Sequence, residues 1–211
     1  MGCHCQFGGD GHPDGDDRNG PVSTFCFGVA QGNRRIRHFA PVDSLISICS
    51  FGREITMSRM YSVQFTGVAV TAQQDLFEIV ASSTSIVMVH SIELSQSTEA
   101  GDAAEEGLSI LWKSGSTTSG SGGSAYTAVP LDIGDTAFGG TAEVNNTTKA
   151  SAGTIVTHYA WNWNVRGEFV KIFTPETRPV LRASRRGTLE LATTPADSIT
   201  MSGTLVLEEI G

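Results

Sequence analysis

Wherever apolar residues recur regularly in this chain they do so at every second position, in short runs divided by Ser, Thr, Gly and Asn; no run repeats every three or four. A two-residue period puts alternate side chains on opposite faces of an extended strand, whereas a helix needs a period near 3.6. The chain is therefore confined to sheet architectures with helices that are at most short, and parallel βα folds fall away. From Ser62 to Val70, Val63 and Phe65 alternate with Gln64 and Thr66, and Gly67 then resets the phase before Val68 and Val70, which predicts a strand with a bulge. Leu76 to Ala81 reads as a second strand. In the third, Ile86, Met88, His90, Ile92 and Leu94 are expected on one face, and Val87, Val89, Ser91, Glu93 and Ser95 on the other.

The ladder continues with Leu108, Ile110 and Trp112 alternating with Ser109, Leu111 and Lys113. The run Ser114 to Ser124 is almost wholly Ser, Thr and Gly; it offers no apolar area to bury and is expected to be a flexible surface loop. Thr141 to Val144 is a short strand ended by Asn145 and Asn146. The longest pattern runs from Thr154 to Val165, with Ile155, Tyr159, Trp161, Trp163 and Val165 on one face and Val156, His158, Asn162 and Asn164 on the other. Phe169 to Phe173, Val180 to Leu181, Thr188 to Ala192 and Ile199 to Ile210 complete the series. About nine or ten short strands with turn signals every 8 to 12 residues indicate an all-β antiparallel sandwich, and a jelly roll suits that count.

A compositional seam falls at Met57. All four cysteines, Cys3, Cys5, Cys26 and Cys49, precede it, and the 155 residues from 57 to 211 contain none. Residues 57–211 form a single sandwich domain on this reading, long enough to bury roughly 68–70% of its unfolded surface. Residues 1–56 read as an irregular or disordered leader. Met57 and Met60 stand directly before the first good strand, as a translation start would, so the leader is expected not to belong to the natural product. Cys3, His4, Cys5, His12, Cys26, His38 and Cys49 could supply zinc ligands, but only the first pair is close, and structural zinc sites present two close pairs.

The formal net charge is -8, and residues 57–211 carry 9 Lys and Arg against 16 Asp and Glu. Such a surface repels phosphate backbones, which argues against general nucleic-acid binding outside the cluster Arg178, Arg182, Arg185 and Arg186. No apolar run approaches the length of a membrane-spanning helix, so insertion is not expected. No secretory signal is visible.

Residues 57–211 hold only His90 and His158. The His-x-His pair of a cupin-type jelly-roll metal enzyme is absent, and His90, flanked by apolar residues, is expected to be a satisfied core histidine. No Gly-x-Ser-x-Gly elbow occurs for nucleophilic hydrolysis. Metal catalysis and other enzyme activity are therefore not expected, and no cofactor motif is present. Glu99, Asp102, Glu105 and Glu106 share one acidic stretch; hard oxygen ligands of this kind could hold calcium, although they lack EF-hand spacing and solvation is their ordinary fate. Trp161 and Trp163, two residues apart on a strand, could stack on a sugar as a ligand platform, with core or subunit-interface packing the plainer expectation.

The segments YSVQFTGVAVTAQQDLFEI from Tyr61, VPLDIGDTAFGGTAEVNNTT from Val129 and TPADSITMSGTLVLEEIG at the C-terminus resemble a group of small uncharacterised proteins encoded among tailed-phage structural genes. The resemblance covers residues 61–211 and carries no catalytic motif. It implies a virion structural protein, of the capsid decoration type or another surface-exposed jelly roll, assembled in the bacterial host cytoplasm and located in the virion. It further implies homo-oligomer formation and attachment to a capsid or other virion protein, as suits a repeated module on a symmetric lattice. The alternative is a carbohydrate-binding or tumour-necrosis-factor-like trimeric module that uses its loops or Trp161 and Trp163.

Overall fold

The computed structural model describes residues 58–98 and 105–211. The leader with its cysteines, and Glu99 and Asp102 of the acidic stretch, lie outside the described residues. Every segment read as a strand forms one: β1 (Ser58–Val70), β2 (Gln74–Val80), β3 (Ile86–Gln96), β4 (Gly107–Thr118), β7 (Thr141–Asn146), β8 (Ser151–Asn164), β9 (Phe169–Ile172), β10 (Val180–Leu181), β11 (Arg186–Leu191) and β12 (Ile199–Ile210). Two short strands, β5 (Ser124–Tyr126) and β6 (Val129–Pro130), were not anticipated and bring the total among the described residues to twelve.

All strand pairs are antiparallel and fall into two sheets. The first has the order β10-β3-β12-β1-β6, with β9 also on the free edge of β3; the second has the order β5-β7-β2-β11-β4-β8. From β1 to β4 each connection crosses from one sheet to the other. From β8 onward the chain crosses back to β9 and β10, over to β11 and back to β12, which pairs with β1. Pairing of the first strand with the last, with crossings between, is the double Greek key of a jelly roll. The fold is thus an all-β antiparallel sandwich, as the alternation predicted, with the strand order of a jelly roll.

The core lies between the sheets, where Tyr61, Val63, Ile92, Leu205 and Leu207 of the first meet Phe77, Ile79, Leu108, Ile110 and Leu189 of the second, all fully buried. Each such side chain contributes roughly 1.5–3 kcal/mol through burial. Phe65 and Phe77 join the layers with ring centroids 5.2 Å apart. Gly203, opposite Phe65 on β12, lets that ring approach: an added Cβ would lie 2.8 Å from it and from Leu94.

Bulges set which side chains reach this core. The β1–β12 register shifts between Phe65 and Val68, and Gly67 there has φ 65°, a left-handed conformation that glycine adopts without a Cβ penalty. The expected phase reset is present. A second bulge is a correction. On β3, Ser91 faces Val206 and Val89 faces Leu207, so His90 is the extra residue. Val87 and Val89 are buried before it, and Ile92 and Leu94 after it, while Ile86, Met88 and His90 are not. The alternation expected to run unbroken from Ile86 to Leu94 therefore changes face midway, and His90 is not a core histidine.

The Ser114–Ser124 run also differs from expectation. β4 continues to Thr118, Ser121 and Thr148 exchange two backbone hydrogen bonds of 2.9 Å, and β5 begins at Ser124. Partners outside the run hold it: Ser119 Oγ and the Gly120 N–H both donate to the carboxylate of Glu78, the latter at 2.9 Å. A polar segment with little apolar area is ordered here by a buried charge that needs donors.

Candidate functional site

Trp161 and Trp163 are two residues apart on β8 and both point toward the interior, opposite Ile110 and Leu108 of β4. They do not form a shared platform. Trp163 is 3% exposed and its indole N–H donates to the Gly167 carbonyl at 2.7 Å, closing the β8–β9 turn. Trp161 is half-buried and lies parallel to Tyr159, with centroids 5.3 Å apart and planes within 3°. Phe169 and Phe173 pack edge-on or tilted against this pair, and Lys171 Nζ lies 5.9 Å from the Trp161 ring. The cluster seals the open side of the sandwich, where β8 and β9 leave the two sheets without a further strand between them. Ile155 does not share this face: Tyr159 pairs with Trp112 and Thr157 with Lys113, leaving His158 as a bulge residue that changes the phase.

Of the acidic stretch, the described members turn to different partners. Glu105 lies 3.8 Å from Arg166, and Glu106 accepts the Ala196 N–H at 2.6 Å. Among the described residues no group of three or more His, Cys, Asp or Glu is placed to hold a metal ion.

Carboxylates do gather on the outer face of the second sheet, which no local pattern announces. Asp75, Glu78 and Glu190 are each at most 5% exposed. Glu78 receives the Arg186 guanidinium at 2.6 Å, and Glu190 pairs with Lys113 and, at 3.1 Å, with Lys149. Asp75 accepts the Ala150 N–H at 2.7 Å. Burial pushes the Asp75 carboxyl up to about 6, with Glu190 and Glu78 adding to the rise and the Ala150 N–H and Lys113 opposing it. These groups are consumed in holding down the segments 116–123 and 147–150, an arrangement that stabilises the fold and keeps these three carboxylates covered.

The outer face of the first sheet is different. His90 Nε2 lies 2.6 Å from Glu208, and Arg178 lies 3.6 Å from the same carboxylate oxygen. On the same outward face, strand register places Ile86, Met88, Val170, Ile172 and Val180 on the β3 side of this trio, and Val129 beyond β1 at the other edge of the sheet. Ile172 is 79% and Val180 53% exposed. Nearby, the turn carrying Ile133, which is 98% exposed, is fixed by Asp132, whose side chain accepts the Gly134 N–H at 3.0 Å.

One cavity of about 360 Å³ opens beside the β1 bulge, lined by Gln64, Phe65, Val68, Ala69, Gln74, Gly122, Gly123, Ser124, Val144, Asn145 and Thr147. Neither Gln74 nor Asn145 is a ligand candidate on the sequence reading. Asn145 carried a signal all the same, because Asn is enriched among non-glycine residues in left-handed conformations and here has φ 59°. Comparison with family models, with curated proteins and with solved structures found no match to this chain.

Proposed function

We propose that this chain is a structural protein of a bacteriophage particle, a jelly roll that self-associates and attaches to the particle through the outer face of its first sheet. The observation that carries the reading is that face: apolar side chains on β3, β9 and β10 lie beside the His90–Glu208–Arg178 trio and stand open to solvent, with Val129 of β6 at the far edge of the same sheet. Scattered exposed apolar residues are ordinary, but several on one strand face mark a contact surface. A charged trio beside apolar groups gives such a contact register as well as area, since a misaligned neighbour would leave the charges desolvated. The phage assignment itself rests on the sequence resemblance over residues 61–211, and the polar networks of the second sheet suit a module built for persistence.

Two measurements test it. The protein is expected to copurify with intact particles through a density gradient and to behave as an oligomer in multi-angle light scattering. The double substitution Ile172→Lys with Val180→Lys should release it from both states while leaving thermal unfolding nearly unchanged, because both side chains are already exposed. Absence from purified particles would remove the reading.

A further inference from the structure

We propose that the cavity beside the β1 bulge binds an uncharged saccharide unit through the side-chain amides of Gln74 and Asn145. The inference does not depend on the particle reading. Gln74 is 4% and Asn145 8% exposed, and the Gln74 Nε2–H donates to Asn145 Oδ1 at 3.1 Å. That bond uses one donor and one acceptor. Gln74 Oε1 and Asn145 Nδ2 have no protein partner among the described residues, and neither atom is sealed from solvent. Both residues line the cavity.

Both atoms reach solvent, so water meets them in the free chain, and a ligand gains affinity where its own hydroxyls replace that water. Together the two atoms present an acceptor next to a donor. Vicinal hydroxyls of a sugar match this pair: one hydroxyl donates to Gln74 Oε1 while its neighbour accepts from Asn145 Nδ2. No charged side chain lines the cavity, so an ionic ligand would lose hydration without a counter-charge. Phe65, Val68 and Val144 supply the apolar surface that the C–H face of a sugar ring requires. A volume of about 360 Å³ lies at the small end of the range for ligand sites, which suits a terminal sugar residue. Asn145 is held at φ 59°, a left-handed conformation that Asn adopts more readily than most residues.

The test is a glycan array probed with the labelled full chain, followed by calorimetric titration of the glycans retained. Asn145→Gly keeps the left-handed backbone and removes the amide; Ala69→Trp fills the mouth from an exposed position. Wild-type protein should bind neutral glycans, about tenfold more weakly after Asn145→Gly, as loss of a hydrogen bond predicts, and not at all after Ala69→Trp. Trp161→Ala should bind as the wild type does. If Asn145→Gly fails to fold, as judged by circular dichroism, Ala69→Trp decides alone. No retained neutral glycan, binding that survives Ala69→Trp, or binding lost only on Trp161→Ala would each overturn the proposal.

Discussion

Arg186 Nε lies 2.6 Å from Glu78 Oε1, and the other oxygen of that carboxylate accepts the Gly120 N–H at 2.9 Å. A residue of β11 thus neutralises a residue of β2 that in turn anchors the Gly- and Ser-rich segment across both strands. Glu78 is 1% exposed, so removing either charge strands the other in a site with little water. Arg186→Ala is expected to lower the unfolding free energy by about 3–5 kcal/mol, the cost of an orphaned buried charge. Hydrogen exchange should report the same event locally, with amides of residues 116–124 losing protection in Glu78→Ala.

Asp75 gives a pH dependence of fixed sign. Its carboxyl is raised from an ordinary 3.8 to about 6 in the folded chain, so between these values the native state holds a proton that the unfolded state has lost. Its contribution is intact below pH about 4 and is lost as pH rises through about 6. Asp75→Asn keeps an acceptor for the Ala150 N–H and removes the desolvated charge. The variant should be more stable than wild type above pH 6, by up to about 3 kcal/mol, and the difference should vanish by pH 4. Urea unfolding at a series of pH values measures it; a difference independent of pH would contradict the assignment.

The two tryptophans of β8 should separate in unfolding experiments. Trp163→Ala removes a buried ring and leaves the Gly167 carbonyl without its donor, for a loss of about 3–5 kcal/mol. Trp161, half-buried and stacked on Tyr159, should cost less than half of that. Equal losses would mean that Trp161 is covered more fully than this structure places it.

Two glycines predict contrasting outcomes. A Cβ at Gly67 meets nothing within 4 Å, so Gly67→Ala should cost only the left-handed backbone, roughly 1–2 kcal/mol. At Gly203 the backbone is not the obstacle: the added methyl would press on Leu94 and the Phe65 ring at 2.8 Å. Overpacking there is expected to cost about 1–3 kcal/mol and to perturb the Phe65 ring signals by NMR. Gly67→Ala should leave those signals in place.

Strand existence and sandwich class were legible because alternation is local: Val63 and Phe65, or Ile110 and Trp112, state their own face. Phase across a bulge was legible only where glycine marked it, as at Gly67. His90 and His158 are bulge residues that no local signal announces, since their position depends on where the partner strand skips a residue. Trp161 and Trp163 were identified as neighbours on one face, but their differing burial follows from β9 and the Gly167 turn.

What the sequence alone determined was therefore an antiparallel ladder and its sandwich class, because period and turn chemistry act over a few residues, while the strand order that makes it a jelly roll joins strands far apart in the chain. Tertiary structure decided the fate of the polar groups. It ordered a Ser/Gly run by presenting Glu78 to it, moved the carboxylates of β2 and β11 under cover, and set Gln74 beside Asn145 at a cavity. Each outcome joins residues 40 or more positions apart, and desolvation makes a polar group's energy depend on whatever the fold brings against it.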